Sequence, residues 1–174
     1  MADRKVLTAY EWKENPMDLL QHRWALLSAG NEEIANTMTV SWGGVGILWN
    51  KPVCFAFVRP QRHTKQFMDR FDKFSLSFFE ENEKNKKALA FCGKASGRDT
   101  DKFSVCGFEK EMVEGCLTIA QAKTTLVCKK LFVQRMTEDS FLAEEIKNKN
   151  YPYGDYHYVY IGEIEQVITE EDGE

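Results

Sequence analysis

The stretch from Trp24 to Arg59, WALLSAGNEEIANTMTVSWGGVGILWNKPVCFAFVR, decides the fold class of this 174-residue chain. Trp24 to Ala29 reads as a strand, Gly30-Asn31 as a turn, and Ile34 to Trp42 as the returning strand of a hairpin. Gly43, Gly44 and Gly46 mark a bend. Pro52 to Arg59 is a strongly apolar strand with a proline at each end, the arrangement expected where a missing N–H is tolerated.

Outward from this stretch the elements stay short. Asn15-Pro16 starts a helix through Leu19 and Leu20, with Asn15 as cap and proline at the first helical position. Thr64 opens a helix in which Phe67 and Phe71 lie one turn apart. Phe74 to Phe79 is a further strand. Glu80 to Phe91 reads as a helix ending at Gly93 in a left-handed cap. Leu117 to Gln134 holds one or two strands, with Leu126 and Cys128 facing one way and Val127 the other. Glu138 to Lys147 reads as a helix with Phe141, Leu142 and Ile146 inward. Tyr156 to Ile168 is a long final strand, and Tyr158, Tyr160, Gly162 and Ile164 alternate with Val159 and Ile161. After Val167 the tail ITEEDGE is acidic and frayed.

Helices interrupt these strands without regular alternation. That pattern argues for a mainly β fold, a Greek-key barrel with helical decorations, over a doubly wound sheet. One domain is expected over residues 1–174, with its core at about 15–168.

Composition narrows the function. Hydrophobic residues at 43% and charged residues at 29% are ordinary globular usage. A net charge of -4 gives no general basic face for nucleic acid. No run suits a signal peptide or a bilayer span, so a cytoplasmic protein without a membrane partner is expected. The five cysteines include no CxxC pair, which argues for reduced, buried thiols over a disulfide framework or structural zinc. His22, His63 and His157 have no metal-ligand spacing, and no GxSxG elbow is present.

Three segments carry candidate chemistry. In Asn36-Thr37-Met38-Thr39-Val40-Ser41-Trp42 small polar residues alternate with bulky ones, then glycines follow. This suits a flat heteroaromatic ligand, with polar groups for its edge and an indole for its face, though an ordinary strand ending in a glycine turn has the same pattern. Arg59-Pro60-Gln61-Arg62-His63-Thr64-Lys65 places donors where a strand meets a helix, a suitable phosphate site. It also reads as a solvated basic turn with Thr64 as cap. Cys92-Gly93-Lys94-Ala95-Ser96-Gly97-Arg98-Asp99-Thr100-Asp101-Lys102-Phe103 reads as a surface loop able to reach a ligand, and it lacks the glycine spacing of a Walker loop.

Five pieces in order, NPMDLLQHRWALLSAG, NTMTVSWGGVGILW, VRPQRHTKQF, CGKASGRDTDKF and DYHYVYIGEI, resemble the flavin-reductase-like family of FMN-binding split barrels, particularly its flavoredoxin branch. The resemblance covers roughly residues 15 to 168. It implies a homodimer with one non-covalent FMN per subunit near the dimer interface. Asn36, Thr37, Met38 and Thr39 would line the isoalloxazine, with Ser41 beside them and Trp42 packed near the ring. Arg59, Arg62, Thr64 and Lys65 would hold the phosphate, and Lys94 and Ser96 would reach ring and tail. His157 falls in the closing motif near the interface. The family often has Tyr where His63 stands.

The resemblance implies an NAD(P)H:flavin oxidoreductase in which NADH or NADPH passes hydride to FMN. No acid or base is then required of the protein, and Lys94 would stabilise charge on the reduced flavin. The alternatives are an electron carrier with tightly bound FMN and a redox partner protein, or a non-redox binding module.

Overall fold

The computed structural model describes residues 4–170. Its strands are β1 (Arg4–Leu7), β2 (Ala25–Gly30), β3 (Ala35–Val40), β4 (Gly43–Leu48), β5 (Lys51–Val58), β6 (Lys73–Phe78), β7 (Lys110–Val113), β8 (Cys116–Ile119), β9 (Thr124–Arg135) and β10 (Tyr158–Glu170). Its helices are α1 (Pro16–Asp18, widening into a π turn over Leu19–Arg23), α2 (Thr64–Arg70), α3 (Glu83–Lys94), α4 (Lys102–Cys106) and α5 (Glu144–Asn150). No helix among the described residues is long and apolar enough to cross a membrane.

The main sheet runs β3-β2-β6-β9-β10-β5-β4, with β1 added to β10 and every pair antiparallel. Its two end strands, β3 and β4, are joined by Ser41-Trp42 alone. Three Cα steps span at most roughly 11 Å, so the sheet must curl until its ends nearly meet. The result is a mainly β, barrel-like sheet with a seam, as the sequence implied.

The concave side is filled by Leu27, Met38, Ala56, Phe74, Leu76, Leu126 and Tyr160. Each large apolar side chain buried here contributes about 1.5–3 kcal/mol. Leu126 and Cys128 face this core while Val127 packs on the other side with Cys116 and Ile168, as their alternation required. A second apolar cluster seats α3 and α4 beside β8 through Leu89, Phe103 and Leu117. All five cysteines are free, and four are fully buried.

Several elements differ from expectation. The glycines at 43–46 form β4 rather than a bend, pairing Gly43 with Ala56 and Gly46 with Val53. A side chain at Gly43 would put Cβ 2.8 Å from the Phe55 carbonyl, so close strand approach explains the residue. Trp49 and Asn50 then turn the chain with φ of 52° and 56°, a two-residue hairpin.

Helix α3 starts at Glu83, where Asn82 accepts from the Asn85 amide, and it runs through Gly93 to Lys94. Gly93 lies against Thr39 of β3, so it serves close packing and not a left-handed cap. The helix expected over 138–147 is broken into a single 3-10 turn (Glu138–Ser140) and α5. Phe141 is drawn instead toward the rings of Tyr151 and Tyr156, which leaves Leu142 fully exposed (100%) and Ile146 half exposed. The segment Leu117 to Gln134 holds two strands, β8 and β9, whereas β1, β7 and α4 had no counterpart in the sequence reading.

Candidate functional site

A cavity of about 220 Å³ opens at the seam. Strand β3 supplies Met38, Thr39 and Val40, the link supplies Ser41 and Trp42, β5 supplies Phe57, and Arg59, Arg62 and His157 complete the wall. The Trp42 and His157 rings lie 5.4 Å apart, and Phe57 meets His157 edge-on at 6.3 Å. Trp42 remains 47% exposed, which makes it a rim. His157 Nδ1 is 2.7 Å from the Tyr151 hydroxyl. Burial, aided by the Arg59 charge, lowers the His157 pKa to about 4, so its imidazole is neutral at neutral pH.

A second cavity of about 500 Å³ joins the first through Met38, Arg59 and Arg62. Its character is different. Arg59, Arg62, Lys94, Arg98 and Lys102 line it together with Asn36, Thr64 and Ser96, and Asp155 is its one carboxylate.

The cations are held in defined places. Arg62 donates to the Gly93 carbonyl at 2.8 Å, and Arg98 donates to the Gln61 carbonyl at 3.2 Å. Lys102, only 3% exposed, donates to the carbonyls of Thr37 at 2.9 Å and Cys92 at 2.8 Å. Burial and the Arg62 charge draw its pKa down. Arg59 donates to Asp155 at 2.5 Å and to the Asn150 carbonyl at 2.9 Å, and its guanidinium lies 4.9 Å from the Tyr151 ring centre. The other carboxylate oxygen of Asp155, Oδ1, is buried without a protein partner.

The loop after α3 closes onto this cavity at Gly97. A Cβ there would fall 2.1 Å from Asn36 Oδ1 and 3.0 Å from His63 Cδ2. Only glycine lets the main chain pass this close to the wall.

The structure thus gathers Asn36, Met38, Thr39, Ser41, Trp42, Arg59, Arg62, Thr64, Lys94, Ser96 and His157 around two joined hollows. Thr37 and Lys65 lie outside both linings. The Thr37 hydroxyl accepts from Ser28 at 2.9 Å on the far face of β3, while Lys65 sits 3.9 Å from the Tyr158 ring centre and pairs with Asp69 at 2.5 Å. Thr39 lines the first hollow, but its hydroxyl donates to the Leu89 carbonyl at 2.5 Å. The polar side of the Thr37–Thr39 alternation therefore satisfies neighbouring elements. Thr64 does not cap α2 either: His63 precedes the helix, and the Thr64 hydroxyl accepts from Asn36 at 2.8 Å.

Lys94 opens on the cationic hollow, not the aromatic one. Tyr151 and Asp155 escaped the sequence reading, and Arg98 and Lys102 stood in it only as unassigned members of the loop Cys92 to Phe103. Their only signals were the run GRDTDKF and the acidic and aromatic residues just before His157. Among the described residues no three His, Cys, Asp or Glu side chains group to hold a metal ion.

A family model described as flavin reductase like domain matches residues 17–174. The chain belongs to the flavin-reductase-like family. Solved members of similar fold include a flavoredoxin from Methanosarcina acetivorans, at 22% identity, TM-score 0.66 and coverage of 86% of this chain and 69% of that one. An FMN-binding domain of a flavin reductase-like enzyme from Shewanella baltica has 17% identity and TM-score 0.67, covering 97% and 78%. An NADH:FAD oxidoreductase from Streptomyces globisporus has 17% identity and TM-score 0.61, covering 85% and 75%. No curated protein matches the chain. In this flavin-reductase-like fold both hollows lie at the seam side of the sheet.

Proposed function

We propose that the chain binds FMN non-covalently and acts as an NAD(P)H-dependent flavin reductase. The observation that carries this is the junction at Met38, Arg59 and Arg62, where an aromatic hollow meets a cationic one. FMN has the same division, a flat ring at one end and a phosphate at the other. The donor set fits it. Arg62, Lys94, Ser96, Arg98 and Lys102 supply positive charge and N–H or O–H donors for the phosphate, and Gly97 leaves room for the loop that carries Ser96 and Arg98. Asp155, the one carboxylate of the cationic hollow, is held by Arg59 and Gln61 at its wall.

Bound FMN would supply the two-electron chemistry, accepting hydride from the nicotinamide. The protein's share is positional. Met38 and Trp42 flank the ring position, and the neutral His157 adds a polar group without adding charge. The cations neutralise the phosphate and limit water access around it. A homodimer belongs to the same reading: Trp49 and Phe132 are exposed and lie 6.2 Å apart, an apolar surface suited to a second copy.

The test is the visible spectrum of purified protein, followed anaerobically with NADH and then NADPH. A flavin spectrum that bleaches on mixing supports the reductase. A flavin spectrum unmoved by both nucleotides replaces it with an electron carrier, and absence of flavin after soaking with FMN overturns it. Sedimentation of a monomer at micromolar concentration overturns the dimer.

A further inference from the structure

Tyr151 does not line either hollow, yet its hydroxyl lies 2.7 Å from Nδ1 of His157, which does. Both side chains are buried, and their rings stand nearly perpendicular at 85°. The Tyr151 ring is clamped on several sides. The Arg59 guanidinium lies over it, and Phe141 and Tyr156 pack at 5.4 Å and 5.2 Å.

The phenol has one proton and two neighbours able to take it: His157 Nδ1, and Met136 Sδ at 3.8 Å. If the phenol donates to Nδ1, the neutral imidazole carries its own proton on Nε2. If instead Nδ1–H donates to the phenol oxygen, the phenol proton is left to the thioether, a weak acceptor. The first arrangement uses the better acceptor and wins. A doubly protonated ring is opposed by burial and by the charges of Arg59 and Arg62, with only Asp155 favouring it. Among the described residues Nε2 has no protein partner, and it belongs to a side chain that lines the aromatic hollow.

We propose that Tyr151 is a positioning residue that locks His157 in its Nε2–H tautomer, so that the aromatic hollow presents a fixed hydrogen-bond donor to an acceptor atom of a planar heteroaromatic ligand. The tautomer follows from the Tyr151 contact alone. The ligand class rests on the flavin reading. Tyr151 touches two residues that wall the hollow, His157 through its hydroxyl and Arg59 through its ring, and Tyr151→Phe removes the hydrogen bond while keeping the ring beneath Arg59.

The experiment is a long-range ¹H–¹⁵N spectrum of the ring nitrogens in ¹⁵N-histidine-labelled protein, with His157 assigned by its loss in His157→Gln. The expected result is a pyridine-type Nδ1 and a pyrrole-type Nε2 at neutral pH, and convergence of the two shifts in Tyr151→Phe as tautomers mix. A wild-type spectrum with the proton on Nδ1 overturns the proposal without any variant, and so does an unchanged pattern in Tyr151→Phe. Titration with FMN should then move the Nε2 resonance. FMN binding that leaves Nε2 unmoved overturns the donor role, whereas failure of FMN to bind overturns the flavin reading and leaves the tautomer result standing.

Discussion

Arg59 and Asp155 meet at 2.5 Å, and through this contact the end of β5 holds the segment that carries His157. The pair is only about one-fifth exposed, at 22% and 19%, so each charge depends on the other. Arg59→Met leaves the Asp155 carboxylate without its cation, costing roughly 1–3 kcal/mol. Restoring neutrality with Asp155→Asn in the same chain should recover part of that loss. A double-mutant cycle in urea measures it, and strictly additive single effects refute the coupling.

Lys102 is the buried cation of the second hollow. Lys102→Met removes a charge and two donors, and a charge-assisted hydrogen bond contributes about 1.5–3 kcal/mol. The protein should bind FMN roughly 10- to 100-fold more weakly while riboflavin, which lacks the phosphate, changes less. Fluorescence titration with both flavins measures the ratio. Equal losses for the two would place Lys102 away from the phosphate.

Gly97→Ala should leave the sheet intact and displace the loop after α3, because its Cβ has no room beside Asn36. The expected readout is a Tm within a few degrees of wild type, as for a surface change of about 0.5 kcal/mol, with FMN affinity reduced at least about tenfold. Unchanged affinity would separate this loop from ligand binding.

Acid should weaken the fold through His157. Its folded pKa, about 4, lies below the ordinary 6.5, so the unfolded chain binds the extra proton more readily. Stability is therefore full above pH 6.5 and falls as pH drops from 6.5 to about 4. His63, also lowered, adds in the same direction. Urea midpoints across this window should fall less steeply in His157→Gln than in wild type. Parallel slopes would show that the imidazole is not held neutral by the fold.

The sequence was legible where spacing carries the physics. The turn at Gly30-Asn31 and the alternation along Leu126, Val127 and Cys128 translate directly into strands with fixed faces. It was illegible where a residue answers to a distant neighbour. Gly93 resembles a helix terminator locally, but its lack of a side chain serves Thr39 across the helix–sheet packing. Lys65 lies in the basic segment beside the hollow, and the aromatic ring of Tyr158 and the Asp69 carboxylate turn it away. Lys102 looked like one charge in a polar run, and only the fold reveals that two main-chain carbonyls converge on it.

The two-residue link Ser41-Trp42 has a consequence for how such a protein can diversify. It acts as a tether of fixed length between the two margins of the sheet, and the aromatic hollow lies in the gap that it bridges. An insertion there would let the margins drift apart and change the width of the opening at one stroke. Insertions in the turn between β2 and β3, or in the long connection from β9 to β10, would alter the rim and leave that width untouched. Gains and losses of length should therefore collect in those two connections, while new ligand preferences arise by exchange of side chains along the tether.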